Sequence, residues 1–349
     1  MEKAKKRGVG KYLSHNIAVD LGTANTLVSV DGYGIVIDEP SVVATNRKTK
    51  KVIAIGTEAK KMVGRTPRAI VAARPLVDGV VSDFEITEHM LKHFVQTIHK
   101  DHRVLVKRPR MVVGLPSGVT EVEKRAVEEA AKSSGARKIF LIEEPVAAAI
   151  GAGLDIGNEE GNMIVDIGGG TTEIAVLASG DVVVSRSIRI AGDEMTETIM
   201  EFIRDEFNLQ IGERTAENIK TKIGAVYAHN DPKSMMVRGR NVITGLPQEM
   251  ELTSDIIRIP LSKQIKPIID GVKIVLEETP AELISDIMQK GIVVAGGGGL
   301  IAGIDLLIKQ ETHIDVVVPK NALTAVVEGA AIALADPIKY KDVLLSSDK

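Results

Sequence analysis

The sequence predicts an α/β protein made of two related halves. Apolar runs of strand length alternate with amphipathic runs of helical spacing, which is typical of sheets joined by crossover helices. The run at residues 162–177 contains an apolar strand, a glycine turn and a second apolar strand, and the run at residues 16–30 repeats it. A chain of 349 residues is long enough for two domains of ordinary size.

The duplicated hairpin carries the same residue types at the same positions in both copies. An aspartate ends the first strand, and glycines follow, whose backbone N–H groups can approach an anion closely. A bulged hairpin with glycines in left-handed positions, and an aspartate that only closes an Asx-turn, would explain one copy alone. Two copies favour two phosphate turns, which would face each other across a cleft and hold a polyphosphate and its Mg²⁺. The matching pairs are Asn16 with Asn162, Val19 with Val165, Asp20 with Asp166, Gly22 with Gly168, and Thr26 with Thr172.

Composition excludes several classes of protein. Aromatic residues make up only 3% of the chain, so stacking on nucleic-acid bases is not expected, and the net charge of −3 argues against a general nucleic-acid binder. The absence of cysteine excludes disulfides, thiolate zinc sites and a cysteine nucleophile. The histidines lack the H-E-x-x-H spacing of zinc ligands. No apolar run long enough to span a membrane and no signal-peptide pattern are present, which predicts a cytoplasmic protein.

In the first half, residues 1–15 form a basic tail, and strands are predicted at Gly34–Val43 and Val52–Ile55. Lys60–Val81 is predicted to be irregular or short-helical, and Ile86–His99 to be a core-facing helix. After a strand at Met111–Val113, Thr120 and Glu123 have the spacing of a capping box, and Gly135 stands where that helix should end. A strand at Lys138–Ile142 and a helix at Val146–Ala152 complete this half.

The second half repeats the alternation with an insertion at 228–260, where a loop and short strands are predicted. Strands are predicted at Val182–Ile190 and Ile292–Ala295, helices at Glu194–Glu206, Thr215–Val226, Leu300–Gln310 and Thr324–Ala335, and an amphipathic segment at Leu261–Glu278.

Four runs fall at strand ends, where ligands bind in open α/β folds: DLGTANT, DIGGGTT, EEP and AGGGG. Together they resemble the superfamily of actins, sugar kinases and heat-shock chaperone ATPases, and the match is closest to the bacterial actins of the MreB family. The resemblance extends over nearly the whole chain, in order, through IAVDLGTANTLV, DGVVSDF, FLIEEPVAAAIGAGL, VDIGGGTTEIAV, SIRIAGDEM, IGERTAE and AGGGGLIAG. It implies an actin-like ATPase fold of two related domains, each with a mixed sheet flanked by helices and an inserted subdomain.

The resemblance also implies the domain limits. Residues 16–153 plus 320–349 would form domain I, with an insertion at about 35–85, and 154–319 domain II, with an insertion at about 192–260. The segments Thr120–Gly153 and Thr324–Ala335 would connect the halves.

The same resemblance implies a site for ATP or ADP with Mg²⁺. Asp20 and Asp166 would position the metal through its waters, and Glu144 would orient the attacking water with the Thr171 hydroxyl as its partner. From the residues alone, a carboxylate at a helix start is the better explanation of Glu144, and the resemblance reverses that preference. The nucleotide-binding residues implied are Asp20, Gly22, Thr23, Ala24 and Asn25 in the first loop, Gly168, Gly169 and Gly170 in the second, Glu217, Asn218, Ile219 and Lys220 in the adenosine helix, and Gly296, Gly297, Gly298 and Gly299 opposite it.

The function implied is that of a slow ATPase whose subunits form membrane-associated filaments involved in bacterial cell shape. Its partners would be other copies of itself, an anionic membrane surface, and candidate shape or motility proteins, with no nucleic acid. The alternative is a sugar or acetate kinase of the same superfamily, but the aspartate base and the sugar-binding insertions of such kinases are not identifiable. A chaperone ATPase would need a long peptide-binding region after Ala335.

The segment Lys100–Arg110 predicts how such filaments would reach a membrane. Val104, Leu105 and Val106 stand between basic residues, a pattern that suits the surface of an anionic bilayer. A short strand tucked into the core before Pro109 would explain the same three residues. The resemblance favours the membrane, at the inner face of the cell membrane, with the basic N-terminus as an auxiliary.

Overall fold

The computed structural model describes residues 16–64, 69–101, 108–228 and 232–346, without the side chains of residues 101 and 346. The chain divides into two compact units. The first contains the described residues up to Gly151 and those from Val326 onward, and the second is Ala152–Ala325. The membrane segment predicted at Val104, Leu105 and Val106 and the basic tail lie outside the described residues.

The elements follow in chain order. In the first part of the chain they are β1 (Asn16–Leu21), β2 (Asn25–Val30), β3 (Gly34–Pro40), β4 (Val43–Asn46), β5 (Val52–Ile55), α1 (Thr57–Lys60), β6 (Ile70–Ala73), β7 (Leu76–Val77), β8 (Val80–Val81), α2 (Phe84–Asp101), β9 (Arg110–Leu115), α3 (Glu121–Ser133), β10 (Lys138–Glu143) and α4 (Glu144–Gly151). The rest are β11 (Asn162–Ile167), β12 (Thr172–Ala178), β13 (Asp181–Ile188), α5 (Gly192–Phe207), β14 (Leu209–Gln210), α6 (Glu213–Ile223), β15 (Ser234–Asn241), β16 (Pro247–Thr253), α7 (Ser254–Glu278), α8 (Ala281–Lys290), β17 (Ile292–Ala295), α9 (Ile304–Thr312), β18 (Val316–Val317), α10 (Ala325–Ala335) and β19 (Leu345–Ser346).

The central sheets of the two units share the same topology over five strands, and the first unit adds β19, antiparallel to β10, at its edge. In the first unit the strand order is β19-β10-β9-β1-β2-β3, with β1 to β3 an antiparallel meander and β9 and β10 parallel to β1. In the second unit the order is β13-β12-β11-β17-β18, again a meander followed by two parallel strands. The duplication therefore extends from the glycine hairpin to the whole central sheet, as the actin-like fold requires.

Each unit has its own apolar core of aliphatic side chains, as the scarcity of rings predicts. In the first unit Met90, Leu91, Phe94, Val95 and Ile98 of α2 pack against the sheet, which confirms the core-facing helix. In the second, α5, α6 and α7 pack on β11, β12 and β17. None of the helices in the described ranges is long and apolar enough to cross a bilayer.

Helix α3 begins and ends where its sequence predicts. The Thr120 side chain accepts a hydrogen bond from Glu123 N at 3.3 Å, and the Glu123 carboxylate accepts one from Thr120 N at 2.7 Å, so the capping box is formed. Gly135 follows with a φ of 109°, which glycine adopts without strain.

The inserted strands differ from the predictions. The strand predicted at Gly34–Val43 is two strands, because the chain leaves the sheet at Ser41 to form hydrogen bonds with the first turn. The segment predicted as irregular at Lys60–Val81 contains β6, β7 and β8, since short strands carry too few residues to show a period. The small sheets β5-β4-β6 and β14-β15-β16 lie in the ranges where insertions are expected.

Two helices of the second unit also differ from the predictions. Helix α7 begins earlier than Leu261 and continues through Pro260 and Pro267, because its buried face contributes more than the hydrogen bonds that proline removes. Helix α8 is missing from the predicted elements altogether.

Candidate nucleotide site

The first glycine turn joins β1 to β2 and leaves no room for a side chain at Gly22. A Cβ at this position would lie 2.6 Å from the Asn25 carbonyl oxygen, so only glycine permits the turn. Ala24 is half-buried and Asn25 is exposed. The turn is therefore a backbone surface with little side-chain cover, which suits the binding of an anion.

Ser41, which the sequence did not indicate as part of the site, stabilises this turn by hydrogen bonds to its carbonyl groups. Its Oγ donates to the Gly22 carbonyl at 2.6 Å and lies 2.8 Å from the Thr26 hydroxyl, and its N–H donates to the Ala24 carbonyl at 3.0 Å. The side chain is fully buried. The only signal in the sequence is the Pro40-Ser41 step, because proline seldom continues a strand.

Thr23 connects the same turn to the β7–β8 hairpin. Asp78 and Gly79 both have positive φ, as in a type I′ turn, and the Gly79 N–H donates to Thr23 Oγ1 at 2.9 Å. The hydroxyl accepts this bond, so its own proton can be donated to a phosphate oxygen.

Asp20 ends the first strand, opposite Leu27 of β2. Burial raises the pKa of Asp20 from 3.8 to about 7, because a charged carboxylate is poorly hydrated there. A cation nearby would favour the charged form. A hydrated Mg²⁺ that is also held by phosphate oxygens meets this requirement, and within the described residues no cluster of three acidic or histidine side chains forms an all-protein cage.

Glu144 lies at the carboxyl edge of the same sheet. The parallel register aligns Val19 of β1 with Val113 of β9 and Leu141 of β10, so the three strands end together. A Cβ at Gly114 would lie 3.5 Å from Glu144 Cγ and 3.8 Å from the Val19 carbonyl oxygen. Glu144 therefore packs closely against the backbone at the end of β9.

The preceding carboxylate, Glu143, has a structural role. It accepts a hydrogen bond from Ser117 Oγ at 2.9 Å. The Glu-Glu step therefore places its two carboxylates in different environments.

The second glycine turn joins β11 to β12 and is held by the N-terminus of α5. Gly192 N donates to the Gly168 carbonyl at 3.1 Å, and Asp193 N donates to the Gly169 carbonyl at 2.8 Å. Because C=O and N–H point in opposite directions across a trans peptide, the N–H groups of Gly169 and Gly170 are directed away from α5. This orientation leaves them able to bind an anion.

The residues on either side of this turn are buried. Asp166 and Thr171 are less than a tenth exposed, and the Thr172 hydroxyl donates to the Ile190 carbonyl at 2.7 Å. The carboxylate of Asp166 is therefore buried beside the turn, where a cation would lower the cost of its charge.

The glycine run after β17 packs directly on the end of β11. A Cβ at Gly296, whose φ is +77°, would lie 2.5 Å from Asp166 Oδ1, and one at Gly298 would overlap the Ile167 side chain. A Cβ at Gly297 would lie 3.3 Å from Leu323, and one at Gly299 3.0 Å from Val294. The run is thus required for packing, and it brings a bare backbone beside Asp166.

Helix α6 is joined to the first turn of α5, which holds the second glycine turn, by a partly buried polar cluster. Lys220 Nζ donates to the Gly192 carbonyl at 2.6 Å and to Thr196 Oγ1 at 2.9 Å, and it lies 2.7 Å from Glu217 Oε2. Asn218 is exposed, whereas Ile219 is fully buried in the core, so the Ile219 side chain is not accessible to a ligand.

Comparisons with known proteins show similarity over nearly the whole chain. The family model described as MreB/Mbl protein matches residues 14–342. The cell shape-determining protein Mbl of Bacillus cereus is 47% identical over 92% of this chain and 96% of its own length. The cell shape-determining protein MreB of Escherichia coli is also 47% identical, over 92% of this chain and 93% of its own length.

A solved structure is similar over nearly the whole chain. It is MreB5 of Spiroplasma citri bound to ADP, which is 41% identical, covers 94% of this chain and 98% of its own, and has a TM-score of 0.89. The duplicated sheets and the two supported glycine turns define an actin-like protein. The chain belongs to the MreB/Mbl family.

Proposed function

We propose that this protein binds ATP through its two glycine turns and hydrolyses it slowly. The proposal rests on the presence of the same glycine turn in both units. In each, a buried or partly buried aspartate lies near the strand end, and the carbonyls of the turn accept hydrogen bonds from a neighbouring segment. The similar MreB5 is bound to ADP in one structure and to AMPPNP in another.

The turns would bind the phosphates through backbone N–H groups, with Gly22, Thr23, Ala24 and Asn25 in one and Gly168, Gly169 and Gly170 in the other. Phosphoryl transfer needs positioning and charge neutralisation more than covalent help. The Thr23 hydroxyl, already accepting from Gly79, would add one donor to a phosphate oxygen.

Helix α6 would hold the adenosine. Glu217 and Asn218 offer polar atoms at its accessible face, Lys220 links the helix to the first turn of α5, and Ile219 could contribute only through its backbone. The Gly296–Gly299 backbone would cover the other side of the adenosine.

Mg²⁺, when bound, would neutralise phosphate charge. Asp20 and Asp166 would hold Mg²⁺ through its waters. Burial makes a charged carboxylate costly, and a nearby cation would lower that cost. Glu144 would accept a hydrogen bond from the attacking water and so orient it, with the Thr171 hydroxyl as its partner.

We further propose that the subunits polymerise and act in bacterial cell shape, as the names of the related Mbl and MreB proteins indicate for those proteins. The filament would lie at the inner face of the cell membrane, with Val104, Leu105 and Val106 as its apolar contact. One subunit would bind weakly, and many copies on a filament would bind strongly.

Two measurements on the same sample test this function. The protein is sedimented with and without ATP and Mg²⁺, and phosphate release is followed without any added substrate. ATP-dependent pelleting together with slow phosphate release supports the proposal. Phosphate transfer that requires a sugar or acetate, without pelleting, would instead identify a small-molecule kinase.

A further inference from the structure

A groove in the first unit lies away from the residues assigned to nucleotide. It has a volume of about 240 Å³ and is formed by the start of β1, the β2–β3 turn and one face of α10. Pockets for drug-sized ligands measure roughly 300–1,000 Å³, so this groove suits a few side chains of a peptide better than a whole small molecule. Its lining is mainly small and apolar: Ala18, Val30, Gly32, Ala331, Ile332 and Ala335.

The groove begins where the described chain begins. Asn16 lines it, and Arg110 Nε donates to Asn16 Oδ1 at 2.9 Å, so the point at which the N-terminal segment enters is fixed. Tyr12 and Leu13 are four and three residues before Asn16. An extended chain spans at most about 3.6 Å per residue, so the backbone of either residue can be no farther than roughly 14 Å from Asn16.

The charges of groove and segment are opposite. Asp31 lines the groove, and exposed Asp336 follows Ala335 at the end of α10, where the helix dipole adds negative potential. Residues 1–15 carry five basic side chains against Glu2 alone, and Lys11 is next to Tyr12.

We infer that residues 11–13 of the basic N-terminal segment dock in this groove, with Tyr12 and Leu13 against the alanine face of α10 and Lys11 near Asp31 or Asp336. A short tether gives an effective concentration on the order of millimolar. An intrinsic dissociation constant of only about 0.1 mM would therefore keep the segment docked roughly ten times more often than undocked.

Docking would give the basic segment two states, docked and undocked, that differ in how much of its positive charge is exposed. The docked segment has part of its charge neutralised by the groove, and the undocked segment presents it to an anionic surface. This consequence depends on the docking and not on nucleotide hydrolysis.

The absence of tryptophan from the chain permits a direct test. In the full chain with Tyr12→Trp, at low concentration and without nucleotide, the single indole should emit at shorter wavelength and be shielded from iodide. Lys3→Trp, in the same segment but far from Asn16, should emit like a solvated indole. Solvated emission from Trp at position 12 would overturn the docking, as would a blue shift that appears only as protein concentration rises or only with anionic vesicles.

Positive charge introduced at the groove provides the second measurement. Cleavage by trypsin after Lys11 follows the undocked population when docking is fast, so Asp31→Lys or Ala335→Lys should accelerate it by up to about tenfold. Both positions are solvent-accessible, so the fold should tolerate either change. The matched control is Asp181→Lys at the start of β13, directly after the corresponding turn of the second unit, and this variant should cleave like the parent. Equal rates in all four proteins would refute the docking.

Discussion

The ion pair between the buried ammonium group of Lys220 and the partly exposed carboxylate of Glu217 gives the most quantitative prediction. We expect Lys220→Met to destabilise the second unit in the absence of nucleotide. The substitution keeps the apolar stem and removes only the ammonium group, whose side chain is 10% exposed. It removes the donor to the Gly192 carbonyl at 2.6 Å and to Thr196 Oγ1 at 2.9 Å, as well as the partner of Glu217.

The expected loss in the free energy of unfolding depends on which hydrogen bonds the former partners of Lys220 keep. Removing one partner of a buried ion pair costs about 3–5 kcal/mol when the other charge stays unsolvated. Here Glu217 is 40% exposed and recovers water, and its carboxylate can still accept from Thr196 Oγ1, 2.7 Å away. The single proton of the Thr196 hydroxyl can instead be donated to the Gly192 carbonyl, 2.9 Å away, so one of these two acceptors is left without a protein donor. We therefore expect a loss of about 2–3 kcal/mol in the free energy of unfolding.

Urea unfolding followed by circular dichroism measures this loss. The matched control is Lys309→Met, which breaks the ion pair with Asp315 on the same unit, where the two side chains are 59% and 75% exposed. That loss should stay within ~1 kcal/mol. A double-mutant cycle with Glu217→Gln should show coupling of at least about 1 kcal/mol. If Lys220→Met and Lys309→Met lowered the free energy of unfolding equally, or if Lys220 and Glu217 showed no coupling, the reasoning would be refuted. Water would then replace the hydrogen bonds of Lys220 at little cost.

Three further predictions concern the proposed function. Glu144→Ala should leave ATP binding and assembly intact while phosphate release falls by about 10²-fold or more. The control variant Glu143→Ala should not show that fall. Unchanged phosphate release in Glu144→Ala would remove this residue from the site. Gly169→Val should abolish ATP binding and assembly with the circular dichroism spectrum preserved, because the side chain would occupy the phosphate side of the turn; normal ATP affinity in the folded variant would mean that the turn is only a hairpin. Leu105→Asp should still assemble with ATP but no longer pellet with anionic liposomes, and if it pellets like the parent, this segment is not the membrane contact.

Much of the candidate site was predictable because an aspartate followed by a glycine turn leaves a local signature. The Asp-x-Gly pattern repeats in each half, and strand-ending residues of parallel strands meet at one edge. What supports the turns was not predictable. Ser41 contacts Gly22 across a strand, and the α5 N-terminus contacts Gly168 and Gly169 from beyond two further strands. No fixed spacing in the sequence records such contacts.

The sequence by itself determined the features whose cause is local. The α3 capping box and the two hairpins depend on residues within a few positions of one another, and the repeat made both central sheets predictable together. Tertiary structure alone decided where a local preference yields to packing. Helix α7 continues through Pro260 and Pro267 because burial of its apolar face outweighs the lost backbone hydrogen bonds. Gly296 and Gly298 have no tolerance for a side chain because Asp166 and Ile167, distant in sequence, occupy that space.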